Sequence, residues 1–346
     1  IEMYKGYKIV VNTAAGRRRY MQYLIPFIVS CPIVDRYDIW VNTHNGADIE
    51  FFKRVAALYP VVNLVWQPDG VVNGNKSINA FYRECVESKT IYFKLDDDIV
   101  WMEPGLIEKM VEFRVSNPRY FVVSPLVINN SLSTYLLQTE GKLRLKEYCN
   151  ADSSHPILWR SGRFAADLHD WFISNYLLPN KWTQLHMGAK PMGMTRFSIN
   201  SILWFGDEMK KFNGEVPGDD EEFLSCIYPT GQGLANAWNG DAIVAHFAFF
   251  TQREELDRMG ILERYGEYLR DEWAKDKTMK AISDDINTVM AEISGETKTL
   301  EESPSPYRRV VVTPTFRSKI KKFIPRFILK IRDDIKSKDA DRNFIR

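Results

Sequence analysis

Three consecutive carboxylates, Asp96-Asp97-Asp98, close the apolar run Ile91-Tyr92-Phe93-Lys94-Leu95. Held side by side, they repel one another unless a cation or water absorbs their charge. Side chains alternate along an extended backbone, so Asp96 and Asp98 face one side and Asp97 the other. Two converging carboxylates make a hard-oxygen site for Mg²⁺ or Mn²⁺, and a cation held there suits a diphosphate. The plainer reading is a solvated acidic turn, since charge runs are often only that. Lys94 lies on the same face as Asp96 and offsets its charge.

A second acid cluster, Asp219-Asp220-Glu221-Glu222, follows Pro217-Gly218 and opens an amphipathic stretch over 219–228. Carboxylates at a helix start cap free N–H groups and complement the dipole. That accounts for one or two of the four. His246 interrupts the apolar stretch Ile243-Val244-Ala245-His246-Phe247. A lone histidine there is commonly a hydrogen-bonded core residue; as a ligand, its neutral imidazole suits Mn²⁺ better than Mg²⁺. Arg17, Arg18 and Arg19 begin a helix, where backbone N–H groups and cationic side chains can meet phosphates. Lys76, after the polar Asn73-Gly74-Asn75, is another phosphate candidate. His186, in an irregular segment, is placed to touch a substrate, whereas His44, His155 and His169 carry no pattern beyond surface or packing. Trp159, Trp171, Trp182 and Trp204 dot the middle of the chain; most tryptophans are core residues, and none of the four is assigned a role.

Positioning these groups needs a scaffold. Strands expected at 8–12, 38–42, 61–66 and in the run entering Asp96 alternate with helices at 16–29, 49–58 and 77–86. That rhythm predicts a parallel, doubly wound sheet, in which ligands bind where strands end. Beyond Asp98 it changes: a helix at 106–113, a strand at 120–128, irregular chain over 129–161 and a helix at 164–178. A strand at 191–198, a helix or broken helix at 199–212 and a strand at 242–249 follow. Residues 261–293 read as polar helix and 294–306 as linker. The implied organisation is one α/β unit over 1–255, its rhythm changing after about residue 100. A helical extension (256–300) and a linker with a basic amphipathic tail (301–346) complete it.

The 346 residues are enough for one large α/β domain, and 45% hydrophobic with 26% charged residues is ordinary globular composition. A formal net charge of +1 gives no reason to expect nucleic acid as a partner. The four cysteines are widely spaced, which suits free thiols in a reducing compartment. No signal peptide or bilayer-spanning stretch is visible, and Ile1 in place of Met suggests a trimmed chain. Residues 316–346 hold eleven lysines and arginines against four aspartates, hence +7, with isoleucines and phenylalanines at helical spacing. Such a segment suits the interface of an anionic membrane, or packing on its own domain or a partner domain.

Four elements in fixed order resemble glycosyltransferases of the GT-A fold: Asn12-Thr13-Ala14-Ala15-Gly16-Arg17, Asn73 to Ala80, the DxD element Asp96-Asp97-Asp98, and Gly218-Asp219-Asp220-Glu221 with the His246 strand beyond it. The resemblance spans roughly residues 8–253 and implies that 1–255 is a catalytic domain with a nucleotide-binding half (1–100) and an acceptor-binding half (101–255). It implies a Rossmann-like, mostly parallel sheet flanked by helices, and a nucleoside-diphosphate sugar as donor, UDP-linked by preference. Thr13, Ala14 and Arg17 would hold the nucleotide, with Asn75, Lys76, Asp96 and Asp97. Asp96, Asp98 and His246 would hold Mn²⁺ or Mg²⁺. In inverting members an acid pair supplies the base that deprotonates the acceptor; Phe223, three residues after Asp220, aligns the pair with Asp219-Asp220. Asp220 is then the base and Asp219 an acceptor contact, while a slip of one residue promotes Glu221. A retaining enzyme needs no such base.

The expected function is sugar transfer to a glycan or lipid-linked glycan in surface polysaccharide (O-antigen- or capsule-like) synthesis. The expected location is cytoplasmic, peripheral at the inner membrane face, with other glycan-assembly domains among the expected partners. Two alternatives stay open: a metal-dependent nucleotidyltransferase, and a non-catalytic sugar-binding or scaffold module.

Overall fold

The computed structural model describes residues 3–193 and 195–310. Among these, the strands in chain order are β1 (Lys8–Ala15), β2 (Arg36–Val41), β3 (Val62–Trp66), β4 (Val71–Val72), β5 (Thr90–Leu95), β6 (Ile99–Met102), β7 (Val123–Ile128), β8 (Ala189–Met192), β9 (Ser201–Phe205), β10 (Asn236–His246) and β11 (Arg308–Arg309). Nine of them form one sheet in the order β3-β2-β1-β5-β9-β7-β10-β6, with β8 also paired to β10; β4 and β11 make a separate pair. β1, β2, β3, β5, β7 and β10 run one way, and β6, β8 and β9 run against them. The fold is the mixed α/β arrangement expected from the sequence, a mostly parallel sheet flanked by helices.

Alternation on the strands divides the interior in two. Val10, Tyr92 and Ile202 belong to one apolar cluster, and their neighbours Ile9, Val11, Ile91, Phe93 and Leu203 to the other. The second cluster is completed by α1 (Arg18–Val29), α2 (Gly46–Leu58) and α3 (Leu106–Ser116), joined by Ile282, Ile286, Val289 and Ile293 of the helix Lys277–Glu301. The first cluster holds the helix Gly162–Phe172, its π-helical continuation Ile173–Leu177 and the helix Ile261–Trp273.

Several local expectations are corrected. Residues 199–212 are not a helix: Ser201–Phe205 is a wholly buried strand between β5 and β7, followed by the short helix Gly206–Lys210. A five-residue apolar run carries no period to tell strand from helix, and pairing decides it. Residues 294–306 are not a linker throughout, because the helix begun at Lys277 runs to Glu301. The hydroxyls of Ser294 and Thr297 donate to the carbonyls of Met290 and Ile293 at 2.8 Å each, so residues that read as loop-formers are satisfied inside the helix. Chain beyond it stays attached: Tyr307 is buried and its hydroxyl donates to the Val41 carbonyl at 2.6 Å. The span 129–161 contains the helices Ser131–Thr139 and Pro156–Arg160, the first capped by Asn130. The strand expected at 191–198 is confined to Ala189–Met192, and the helix expected at 77–86 is the 3₁₀ segment Ile78–Glu84. The basic segment 316–346 lies outside the described residues.

Candidate active site

From β1 the sheet grows outward through β2 and β3, and the chain then returns to place β5 on the other side of β1. The strand order therefore reverses between β1 and β5. In open α/β sheets the crevice beyond the carboxyl ends of two such strands is where ligands bind. Gly16 and Arg17 follow β1 there, and Asp96, Asp97 and Asp98 follow β5. An open cleft of about 650 Å³ occupies this position, within the range usual for small-molecule sites.

The three aspartates do not continue the strand. They make a tight turn into β6, closed by the Ile99 N–H donating to the Asp96 carbonyl at 3.2 Å. Asp97 is consequently neither exposed nor opposed to its neighbours in the way a strand would set it. It is buried, and it accepts hydrogen bonds from the Gly16 N–H at 3.0 Å and from the Arg17 guanidinium. Arg17 also donates to Asp98 Oδ2 at 3.1 Å. One guanidinium thus relieves much of the repulsion inherent in the triplet. Burial works against the charge on both carboxyls. It raises Asp97 despite Arg17, whereas at Asp98 it is outweighed by Arg17, His246 and Arg253, and that carboxyl sits below its ordinary range.

Asp96 is held differently. Lys94 donates to its Oδ1 at 2.5 Å and Asn200 to its Oδ2 at 3.1 Å. Lys94 is itself buried and anchored on the Ile199 carbonyl at 3.1 Å. Burial opposes its charge, yet Asp96, Asp220 and Asp98 raise its pKa above the ordinary value.

His246 ends β10 at a register shift, and such bulges re-aim side chains. Its Nδ1 lies 3.1 Å from the Asn129 carbonyl, which can only accept, so Nδ1 carries the proton. Its Nε2, an acceptor unless protonated, faces Asp98 Oδ1 at 3.4 Å. Two acceptors facing each other in a buried site require a proton or a cation between them. Ligand atoms of Asp96, Asp98 and His246 all lie within 4.8 Å of one another. Two carboxylate oxygens and an imidazole nitrogen, oriented from behind by a backbone carbonyl, fit Mn²⁺ well.

Across the cleft, Asp219 caps the helix Asp220–Glu222 through the Glu222 N–H at 3.0 Å, so it serves the helix end. Asp220 accepts from the Tyr82 hydroxyl at 2.9 Å and from the Glu221 N–H at 3.0 Å. Burial raises its pKa, with Lys94 and Tyr82 pulling the other way. Glu221 is also raised by burial and is engaged by Arg196 Nε at 2.9 Å. Of the two candidate bases, Asp220 has no ion pair among the described residues, whereas Glu221 is committed to a guanidinium.

The cleft is lined by Ala14, Arg17, Asn75, Asp96, Asp97, Asp98, Asp219, Asp220, Glu221 and His246. Thr13 and Lys76 are not brought to it. Thr13 is fully buried with its hydroxyl against that of Tyr37, and Lys76 stands exposed on its loop. His186 instead faces Glu103 at 3.0 Å. His169 is buried between the Tyr265 hydroxyl and the Phe247 carbonyl, where burial lowers its pKa to about 3. Arg18 and Arg19 pair with Asp48 and Asp257, away from the carboxylate triplet. Sequence reasoning missed Arg196, Asn200 and Arg253, all of which line the cleft. Nothing in their local sequence marks them: Arg196 and Asn200 arrive from the loop before β9 and Arg253 begins the helix Arg253–Arg258, and the paths of both segments depend on the whole sheet.

No protein-family model and no curated protein matches this chain. Among solved structures it is similar to a mycobacterial protein, with 14% identity and a TM-score of 0.41 over 76% of each chain. It is also similar to glucosyl-3-phosphoglycerate synthase from Mycobacterium tuberculosis in complex with Mn²⁺, UDP-glucose and phosphoglyceric acid: 13% identity, TM-score 0.41, 77% of this chain and 80% of that one. A third is residues 1–349 of S. aureus TarS, with 8% identity and a TM-score of 0.40 over 97% of this chain and 89% of that one. Likeness at this level carries no argument about activity, which has to come from the side chains.

Proposed function

We propose that this protein transfers a sugar from a nucleoside-diphosphate sugar to a hydroxyl of a glycan acceptor, as a metal-dependent enzyme of GT-A type. The observation that supports it most is the convergence of Asp96, Asp98 and His246 at the sheet's switch point, with Asp220 on the same cleft. Asp96, Asp98 and His246 would hold Mn²⁺ or Mg²⁺, which supplies Lewis-acid stabilisation of the charge gathering on a departing diphosphate. Asp220 accepts the proton of the acceptor hydroxyl as that oxygen bonds to the anomeric carbon. The bond from that carbon to the diphosphate breaks, and its electron pair leaves with the nucleotide. Attack aided by a base from the opposite face inverts the anomeric centre. Tyr82 fixes the orientation of Asp220, and Arg17 holds Asp97 and Asp98 in place.

UDP-linked sugars as donors, a lipid-linked glycan as acceptor, and surface polysaccharide synthesis at the cytoplasmic face of a membrane belong to the same proposal. The membrane assignment is supported only by the basic, apolar-striped composition of residues 316–346. A nucleotidyltransferase is disfavoured because Arg17, Arg18 and Arg19 are each paired with an acid, leaving no free basic loop after β1 for a triphosphate. The test is a thermal-shift panel of UDP-, GDP-, CMP- and dTDP-sugars with and without Mn²⁺. Stabilisation by one nucleotide class only when Mn²⁺ is present is expected. No metal-dependent shift with any of them would sink the proposal.

A further inference from the structure

Three aromatic rings stand on the cleft beside the metal-binding trio. Trp159 meets Phe249 with ring centroids 5.1 Å apart and Phe250 at 5.4 Å, the latter edge to face, while Phe249 lies 4.7 Å from the His246 ring. All three line the cleft, and Phe250 is 66% exposed. Phe250 packs edge-on against Trp159 and leaves most of its ring open to the cleft.

This wall is fixed. Gln252, fully buried, accepts from the Phe249 N–H at 3.1 Å and from the Asn129 side chain at 3.0 Å, and it donates to the Leu158 carbonyl. The Thr251 hydroxyl donates to the Trp159 carbonyl. Asn129 is also the residue whose carbonyl sets the proton on His246. A single buried amide network therefore ties the rings to the histidine, so a group resting on the rings keeps a set position relative to the trio.

The surroundings define what fits. Apolar ring faces stand in a cleft that also offers hydroxyls, carboxylates and guanidinium groups, among them Ser153, Ser154, Asp219 and Arg196, beside the aliphatic Ile78 and Ile199. A matching ligand has one apolar face and a rim of hydroxyls, which describes a pyranose ring. We propose that Trp159 and Phe250 form the subsite against which a pyranoside ring of the acceptor stacks, making a ring-bearing glycan, rather than an open-chain polyol, the acceptor class. This rests on the sugar-transfer reading given above.

Saturation-transfer NMR on the full chain with methyl glycosides of glucose, galactose and N-acetylglucosamine, without nucleotide, reads the wall alone. At least one pyranoside should bind with transfer to its ring C–H protons, whereas ribitol should show none. Phe250→Ser, at an exposed position that does not threaten folding, should weaken that binding about five- to tenfold, and Phe250→Tyr should retain it. Wild-type protein that binds no pyranoside, binding unchanged in Phe250→Ser, or ribitol binding as well as the pyranosides would overturn the proposal. So would uridine being the probe whose binding Phe250→Ser loses, since the wall would then be a base platform. A chain that binds pyranosides in this way but shows no Mn²⁺-dependent UDP binding keeps the subsite and loses the donor reading instead.

Discussion

The hydroxyl of buried Tyr82 donates to Asp220 Oδ2 at 2.9 Å, joining the 3₁₀ segment before β5 to the acid cluster after β9. Burial opposes the charge on Asp220 while Lys94 and the Tyr82 hydroxyl favour it, so this bond helps set the pH at which Asp220 can take a proton. Asp220→Asn is expected to keep Mn²⁺-dependent UDP binding and lose about 10²–10⁴-fold in transfer. Loss in Glu221→Gln with an active Asp220→Asn would move the base by one residue.

The same bond fixes a pH dependence. The folded pKa of Asp220 lies above its ordinary 3.8, so it remains protonated where a free aspartate has ionised, and activity should climb as pH rises through the raised value. Tyr82→Phe removes a donor that favours the ionised form, so the acid limb should move to still higher pH. A kcat profile with an unmoved limb would show that Tyr82 only packs.

Metal selectivity should follow from His246. His246→Asn replaces the imidazole nitrogen by an oxygen or amide, so Mn²⁺ affinity should fall further than Mg²⁺ affinity, as read by calorimetric titration with UDP present. Asp96→Ala and Asp98→Ala should each abolish metal-dependent UDP binding while circular dichroism remains that of a folded chain. Undiminished binding in both would exclude the trio as the site.

Gly46 begins α2 against the end of the helix Lys277–Glu301, where an added Cβ would lie 1.9 Å from the Leu300 carbonyl oxygen. That contact is backbone on both sides, so neither can swing away. Gly46→Ala should therefore lower the urea midpoint by the equivalent of about 1–3 kcal/mol. An unchanged midpoint would mean that the helix Lys277–Glu301 is not docked on α2 in solution.

Removing residues 311–346 should leave Mn²⁺-dependent UDP binding intact and abolish attachment to anionic vesicles. The cut must follow Val310, because Tyr307 bonds the Val41 carbonyl and Arg308–Arg309 pair with Val71–Val72. In the full chain, attachment should weaken as salt screens the basic residues. Vesicle binding that survives truncation would place it elsewhere.

The sequence by itself determined the alternation of strands and helices, the position of the candidate site after β5, and the residue types fit for a divalent cation. Those features are local: apolar period, turn residues and adjacent carboxylates can be read without knowing what lies across the sheet. It misread the strand Ser201–Phe205 because a short buried run has no period, and it misjudged Asp97 by carrying strand alternation into what is a turn. Tertiary structure alone decided that Arg17 bridges Asp97 and Asp98, that a bulge turns His246 towards Asp98, and that Tyr82 rather than an arginine holds Asp220. Each of those contacts joins residues about eighty to nearly one hundred and fifty positions apart, and only the pairing of β1, β5, β9 and β10 into one sheet brings them within a hydrogen bond's reach.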